Sequence, residues 1–330
     1  MKVPGTTIEA GTLAIELKTV PDIEGMKKIA DRTGQDLDSF IKSCGYSFYP
    51  PLYRIVGAGI IMVIPSIANK RPVIFWKAVA GNEKKVLENI WTSLTYTNKW
   101  GKKQGITPPP DAMLVTFGGK RSTLPTIMAR TLMYQRQAGE VPSPGSAEEH
   151  FAKGTKKFLN NEDKWENMMP NYTNRYSKFN IDISEDLSFG GRKTPLDVWS
   201  VAMGIEESPS TPGDLINILD SGDYQALADI AGRDIKIIWE IFGNLCMAKG
   251  MGKTEEHSLF QQYGTMKTSV YPTSITFSSK HIKKAHSLLK GYDPINFSNV
   301  GESGKSRFLE ITNKEDTNKG PEFVDNENME

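Results

Sequence analysis

A chain of 330 residues with 40 Lys and Arg against 39 Asp and Glu is long enough to bury one large core, and its net charge of +1 gives no global attraction to nucleic acid, membranes or acidic partners. Two cysteines, Cys44 and Cys246, stand far apart with no Cys or His at ligand spacing, which argues against a disulfide framework or a zinc site and for a reducing, cytoplasmic setting. The first residues lack the apolar core of a signal peptide, and the longest apolar run, Ile55 to Pro65, is too short to span a bilayer, so no membrane partner is expected.

Leu13 to Leu17 reads as a short strand that Thr19-Val20-Pro21-Asp22 closes, because the proline imposes extended or turn geometry. Leu52 to Ile64 and Pro72 to Val79 are rich in β-branched residues and flank a polar turn, which predicts two antiparallel strands. Asn82 predicts the cap of a helix whose buried face carries Val86, Leu87, Ile90, Trp91 and Leu94. Met113 to Phe117 predicts a buried strand, and a helix follows from about Leu124 to Gln135. The predicted order is three strands, helix, strand, helix.

Residues 137–176 turn polar, with Lys153, Lys156, Lys157, Trp165, Tyr172, Arg175 and Tyr176 interleaved, a pattern that fits single-stranded nucleic acid, whose bases stack on aromatic rings while lysines track the backbone. Phe179 to Ile183 predicts a further strand, Thr194 the cap of a helix to Val201, and Asp223 the start of a long helix to about Met247. His281 and His286 lie on a basic segment at a spacing that does not suit a metal pair. Residues 293–330 are expected to form a flexible acidic tail: from Glu310 onward they hold seven acids and two lysines. Such a tail offers a handle for a protein partner. Val300-Gly301-Glu302-Ser303-Gly304-Lys305-Ser306 within it lacks the leading glycine and the strand and helix of a phosphate loop.

The long helix holds the residue that most demands an explanation. Leu227, Ile230, Ile238, Ile241 and Leu245 line one face, and Asp234 falls among them. A buried carboxylate without a partner costs several kcal/mol, so Asp234 needs a cation, a cap or a metal.

Four segments resemble, in order and spacing, the stand-alone 3′–5′ exonucleases related to the proofreading domain of family-B DNA polymerases, within the DEDD superfamily and its ribonuclease H-like fold. Ile15-Glu16-Leu17-Lys18-Thr19-Val20-Pro21-Asp22 resembles the first motif and Leu114-Val115-Thr116-Phe117-Gly118-Gly119-Lys120-Arg121-Ser122-Thr123-Leu124-Pro125 the second. Tyr176 to Ile183 with Leu196 to Ile205 resembles the stretch before the last motif, and Ile230 to Asp234 that motif itself. The resemblance spans roughly residues 11 to 247. It implies an α/β fold with a central mixed sheet, its first three strands antiparallel and flanked by helices, in a domain of residues 1–292 that includes the 137–176 insertion.

The resemblance further implies a two-metal site in which four carboxylates hold Mg²⁺ or Mn²⁺ and a Tyr or His orients the attacking water. Aligned with those positions, Glu16 is a longer acid, Lys18 a charge reversal, Thr123 a neutral group and Ile230 an apolar one, leaving Asp234 unchanged. The expected site is therefore degenerate, with no cofactor, or with Mg²⁺ or Mn²⁺ if active. Glu16, Asp234 and Asp182 are the candidate metal ligands. On a strand Glu16 and Lys18 share a face, so the Lys18 ammonium is placed to pair with Glu16 and Asp234. Lys120 and Arg121 join the basic and aromatic residues of the insertion as candidate nucleic-acid contacts. Three readings stay open: a non-hydrolytic nucleic-acid-binding protein, an active exonuclease using Glu16, Asp234 and Asp182 or Asp186, and a protein-interaction module that keeps only the fold.

Overall fold

The computed structural model describes residues 11–44, 50–64, 73–103, 113–138, 180–188, 194–249, 265–273 and 282. The fold is α/β, a mixed six-stranded sheet between helical layers. In chain order its elements are β1 (Thr12–Pro21), α1 (Ile23–Thr33), α2 (Leu37–Cys44), a 3-10 turn (Pro50–Leu52), β2 (Tyr53–Ile64), β3 (Val73–Gly81), α3 (Glu83–Lys103), β4 (Met113–Thr116) and α4 (Thr123–Ala138). There follow β5 (Asn180–Asp182), α5 (Ile183–Ser188), α6 (Leu196–Ala202), α7 (Pro212–Ser221), α8 (Tyr224–Ala248) and β6 (Lys267–Tyr271).

The strands stand in the order β5-β4-β1-β2-β3-β6. β2 runs antiparallel to both β1 and β3, while β4 is parallel to β1, β5 to β4, and β6 to β3. The antiparallel first three strands are as the sequence predicts, but they are not consecutive elements. α1 and α2 intervene between β1 and β2; α5, α7 and β6 add to the predicted set, and Ile183, expected in the strand, opens α5. Pro195, not Thr194, occupies the cap position of α6, and it makes no side-chain cap bond.

β1 is buried on both faces, which is why it reads as a nearly unbroken apolar run. Its alternation divides the core. Leu13, Ile15 and Leu17 pack with Val86, Ile90 and Trp91 of α3 and with Leu124 and Ile127 of α4. Ala14 faces the opposite way, toward Ile235, Ile238 and Phe242 of α8. The Asp223 carboxylate caps α8 by accepting from Ala226 N at 2.9 Å, and the 25-residue helix runs roughly 37 Å across the sheet. Asp234 lies on its buried surface, beside Ile235.

Glycine sets how closely α8 approaches. A Cβ at Gly59 of β2 would stand 2.1 Å from the Ala231 carbonyl oxygen and 2.6 Å from Ile235 Cγ2, so the helix backbone rests directly on the strand. In the β1–β2 register Gly59 is opposite Glu16 and Gly57 opposite Lys18, and the register shifts between Lys18 and Thr19. Such a bulge re-aims the neighbouring side chain. The tight seat and the bulge together bring the β1 polar residues up against the helix.

A buried ionic cluster, not foreseen from the sequence, holds the opposite layer. Arg130 of α4 donates from Nε to Glu83 Oε1 at 2.8 Å, from Nη2 to Glu83 Oε2 at 2.5 Å and from Nη1 to Asp22 Oδ2 at 2.8 Å. It also reaches the Pro51 carbonyl, and Arg54 bonds Asp22 at 3.0 Å. Glu83 accepts in addition from Ile55 N and from Tyr134 Oη. One guanidinium thus ties the end of β1, the start of β2 and the first turn of α3 to α4. Burial works against the charge of Asp22, but Arg130 and Arg54 outweigh it and hold the carboxyl below its ordinary range.

Two substitutions test this packing. Gly59→Ala should lower unfolding free energy by about 1–3 kcal/mol, because the new methyl must displace a helix backbone and not a flexible side chain. Arg130→Met, which strands two buried acids, should cost about 3–5 kcal/mol. Urea denaturation measures both, and an unchanged midpoint for either would count against the corresponding contact.

Candidate functional site

Glu16 and Lys18 project from the α8 side of β1 because residues two apart on a strand share a face. Both are buried, at 8% and 2% exposure, as is Asp234 at 1%. The Lys18 ammonium donates to Asp234 Oδ2 at 2.5 Å and lies 3.7 Å from Glu16 Oε1. The predicted pairing of Lys18 with both acids is present in the fold, closing a contact between residues 216 positions apart.

Asp234 is also clasped from the segment between α6 and α7. Ser210 N donates to Asp234 Oδ1 at 3.0 Å and Oδ2 at 3.1 Å, and the Ser210 hydroxyl donates to Oδ2. Arg233 Nε stands 3.6 Å from Oδ1. The Ser210 segment is itself anchored, since the Glu207 carbonyl accepts from Ser200 Oγ at 2.8 Å and the Glu207 carboxylate pairs with Lys236 at 2.5 Å. Thr211 then caps α7 in a reciprocal capping box with Asp214. Ser210 was not a sequence candidate; nothing in its neighbourhood marks it, and only folding sets it against Asp234.

The electrostatics of the cluster follow from two acids sharing one buried cation. Burial opposes the Lys18 charge, but Asp234 and then Glu16 outweigh it and raise the ammonium above its ordinary range, so Lys18 stays charged. Burial pushes the Glu16 carboxyl up to about 7; the Lys18 charge lowers it and the Asp234 charge raises it again. Lys18 and Asp234 form the charged pair, and Glu16 takes or releases a proton beside them. With its ammonium raised above the ordinary range and bonded to Asp234, Lys18 is poorly placed to act as a general base toward the Ser210 hydroxyl, which argues against a serine–lysine nucleophile here.

The other aligned positions do not join this cluster. Ile230 packs with Val20, Leu215 and Leu227 in an apolar cluster between α8, α7 and the sheet. Thr123 is buried at the first position of α4 and takes no part in the hydrogen bonds around Asp234. Asp182 stands on β5, two strands from β1, fully buried, and its carboxylate accepts from Gly118 N at 2.8 Å, Lys120 N at 3.1 Å, Ser184 N at 3.1 Å and Ser184 Oγ at 3.0 Å. Those bonds make it the internal anion of the turn between β4 and α4. Asp186 pairs with Lys249 at 2.5 Å on the surface.

This donor set does not fit a pair of divalent ions. Two such ions about 4 Å apart need several anionic oxygens to offset their repulsion. Here two acids converge, an ammonium lies between them, and Thr123 and Ile230 contribute no anion. Among the described residues no group of three or more His, Cys, Asp or Glu is placed to hold a metal ion.

Lys120 and Arg121 lie in the turn before α4, facing Glu185 at 3.4 Å and 3.9 Å. Lys153, Lys156, Lys157, Trp165, Tyr172, Arg175 and Tyr176 fall outside the described residues, as do His281, His286 and the acidic tail. Among the described residues no helix is long and apolar enough to cross a membrane. No protein-family model matches the chain, and no curated protein or solved structure matches it either.

The Glu16 proton gives a pH test. Its folded value of about 7 lies above the ordinary carboxyl value of 4.5, so between those pH values the folded state binds more protons than the unfolded one and stability falls as pH rises. Glu16→Gln, which keeps the shape and removes the ionisation, should match the wild type near pH 4.5 and exceed it by up to roughly 3 kcal/mol above pH 7. Parallel pH profiles of the two melting temperatures would refute the assignment.

Proposed function

We propose that this chain is an exonuclease-like protein of ribonuclease H-like architecture that binds single-stranded nucleic acid without hydrolysing it. The observation that carries the reading is the Lys18 ammonium bonded between Glu16 and Asp234, at the strand and helix whose motifs resemble the metal-binding motifs of that family. The sheet supports it too: it is mixed, its first three strands are antiparallel and helices flank it, as the resemblance implies. A phosphodiester brought to this cluster meets a cation already neutralised by carboxylates and no group that generates a nucleophilic water.

Binding is assigned to Lys120 and Arg121, together with the basic and aromatic residues of the 137–176 segment. Lys120 and Arg121 stand at the positive end of α4, where backbone dipoles add to side-chain charge. Glu185 opposes both, and a phosphate would compete with it for their charge.

The assay uses end-labelled single-stranded DNA and RNA with Mg²⁺ or Mn²⁺. No loss of label is expected, and binding should weaken steeply with salt. Lys120→Ala with Arg121→Ala should reduce affinity by roughly tenfold at low salt, while Glu185→Gln should increase it. Label loss that vanishes in Asp234→Asn would make the protein an active nuclease and overturn the proposal. Absence of any binding would overturn the nucleic-acid assignment and favour a protein partner.

A further inference from the structure

Lys77 of β3 is a partly buried cation with which no carboxylate pairs among the described residues. It projects from the α3 side of the sheet, the face that Val79 shares two residues on. Its ammonium donates to the Asn89 amide oxygen of α3 at 3.2 Å. Buried cations elsewhere in the fold are matched by acids, Lys18 by Asp234 and Arg130 by Asp22 and Glu83.

The groups packed around Lys77 are neutral or cationic. Its register partners are Ile60 on β2 and the exposed Lys267 on β6. Asn89 donates in turn to the Lys85 carbonyl at 2.9 Å and to the Tyr271 hydroxyl of β6 at 3.4 Å, which leaves the amide oxygen turned to the ammonium. Glu88, beside Asn89 on α3, is engaged by Lys85 at 3.0 Å. Burial therefore acts without an opposing charge and pushes the Lys77 ammonium down from 10.5 to about 8. Near neutral pH roughly one Lys77 in five is then a free amine, against about one in a thousand for an ordinary lysine.

We propose that Lys77 is a covalent capture site for small aldehydes that carry an anionic group, held as a Schiff base on Lys77 while Lys267 receives the anion. The neutral nitrogen attacks the carbonyl carbon, a C–N bond forms, and one proton passes from nitrogen to the former carbonyl oxygen. The C–O bond then breaks and the second N–H proton leaves with the hydroxyl as water, so that amine and aldehyde give imine and water with no change of oxidation state. Asn89 is a positioning residue: its oxygen holds one N–H of the amine without adding a charge that would favour the ammonium. Parallel pairing of β3 with β6 sets Lys267 on the same face one strand away, about 5 Å between backbones, within reach of an anion on a small aldehyde. The site lies on the opposite face of the sheet from the Lys18 cluster and does not depend on nucleic-acid binding.

Treating the full chain with one equivalent of pyridoxal 5′-phosphate, reducing the imine with borohydride and mapping the modified lysines by mass spectrometry decides it. Most of the label is expected on Lys77, at a rate that rises through a midpoint near pH 8. Label spread over the exposed lysines, or a Lys77 profile with the midpoint of an ordinary lysine, overturns the proposal. Lys77→Arg, which keeps the charge and cannot form an imine, should remove the adduct. Asn89→Asp sets a carboxylate against the ammonium and should slow labelling of Lys77 about tenfold near neutral pH, and an unchanged rate would overturn the role of Asn89. Lys267→Ala should slow capture of pyridoxal 5′-phosphate several-fold and leave capture of an uncharged aromatic aldehyde unchanged; no effect on either overturns the preference for an anion. The wild-type map is read on the native protein, so the decision does not wait on the folding of any variant.

Discussion

An ammonium held between two carboxylates in the dry interior fixes how α8 meets β1. Lys18 and Asp234 are both almost completely buried, and neither charge is tolerable alone. Their contact therefore acts as a registration pin: sliding α8 by one turn along the sheet would strand Asp234 among the aliphatic residues of its own face and leave Lys18 opposite hydrocarbon. The pin is doubled from outside by Ser210, whose backbone and hydroxyl close the remaining acceptor positions of Asp234.

The pin works only because α8 lies unusually close. Gly59 permits the helix backbone to rest on β2, and Gly232 on the helix in turn sits 3.3 Å from Ala78 of β3, measured from where its Cβ would be. Trp76 on the same sheet face donates to the Gly232 carbonyl at 3.2 Å, taking up an acceptor on the helix backbone. Small residues at the crossing and charged residues beside it are two parts of one arrangement. Larger side chains on β2 would lift the helix and pull Asp234 away from Lys18.

The other layer is organised by a different cation. Arg130 joins Asp22 and Glu83 and so fixes α4 against the ends of β1 and β2, while Asp182 serves the turn from β4 into α4 through two hydrogen bonds and the start of α5 through two more. Three buried acids thus have three unlike roles. Asp234 is an ion-pair partner, Asp182 a backbone cap, and Asp22 both the cap of α1 and half of an ionic cluster. Residue type alone does not separate these roles, because each depends on which donors the fold delivers to the carboxylate.

By itself the sequence determined what is local. Apolar, β-branched runs bounded by turn residues marked β1 to β5, and caps with 3.6-residue patterning marked α3, α6 and α8; strand and helix geometry put Glu16 and Lys18 on one strand face and Asp234 on the apolar stripe of α8, since side-chain direction repeats with the backbone. Short or weakly patterned elements were not legible: α1 and α2 between β1 and β2, α5, α7, and the edge strand β6. Tertiary structure alone decided which distant groups satisfy each buried charge. That Ser210 reaches Asp234, that Asp182 caps a turn two strands from Lys18, and that Arg130 collects Asp22 and Glu83 follow from strand order, the bulge at Lys18 and the close seat of α8, and a buried charge takes its partner from what packs against it, whatever the separation along the chain.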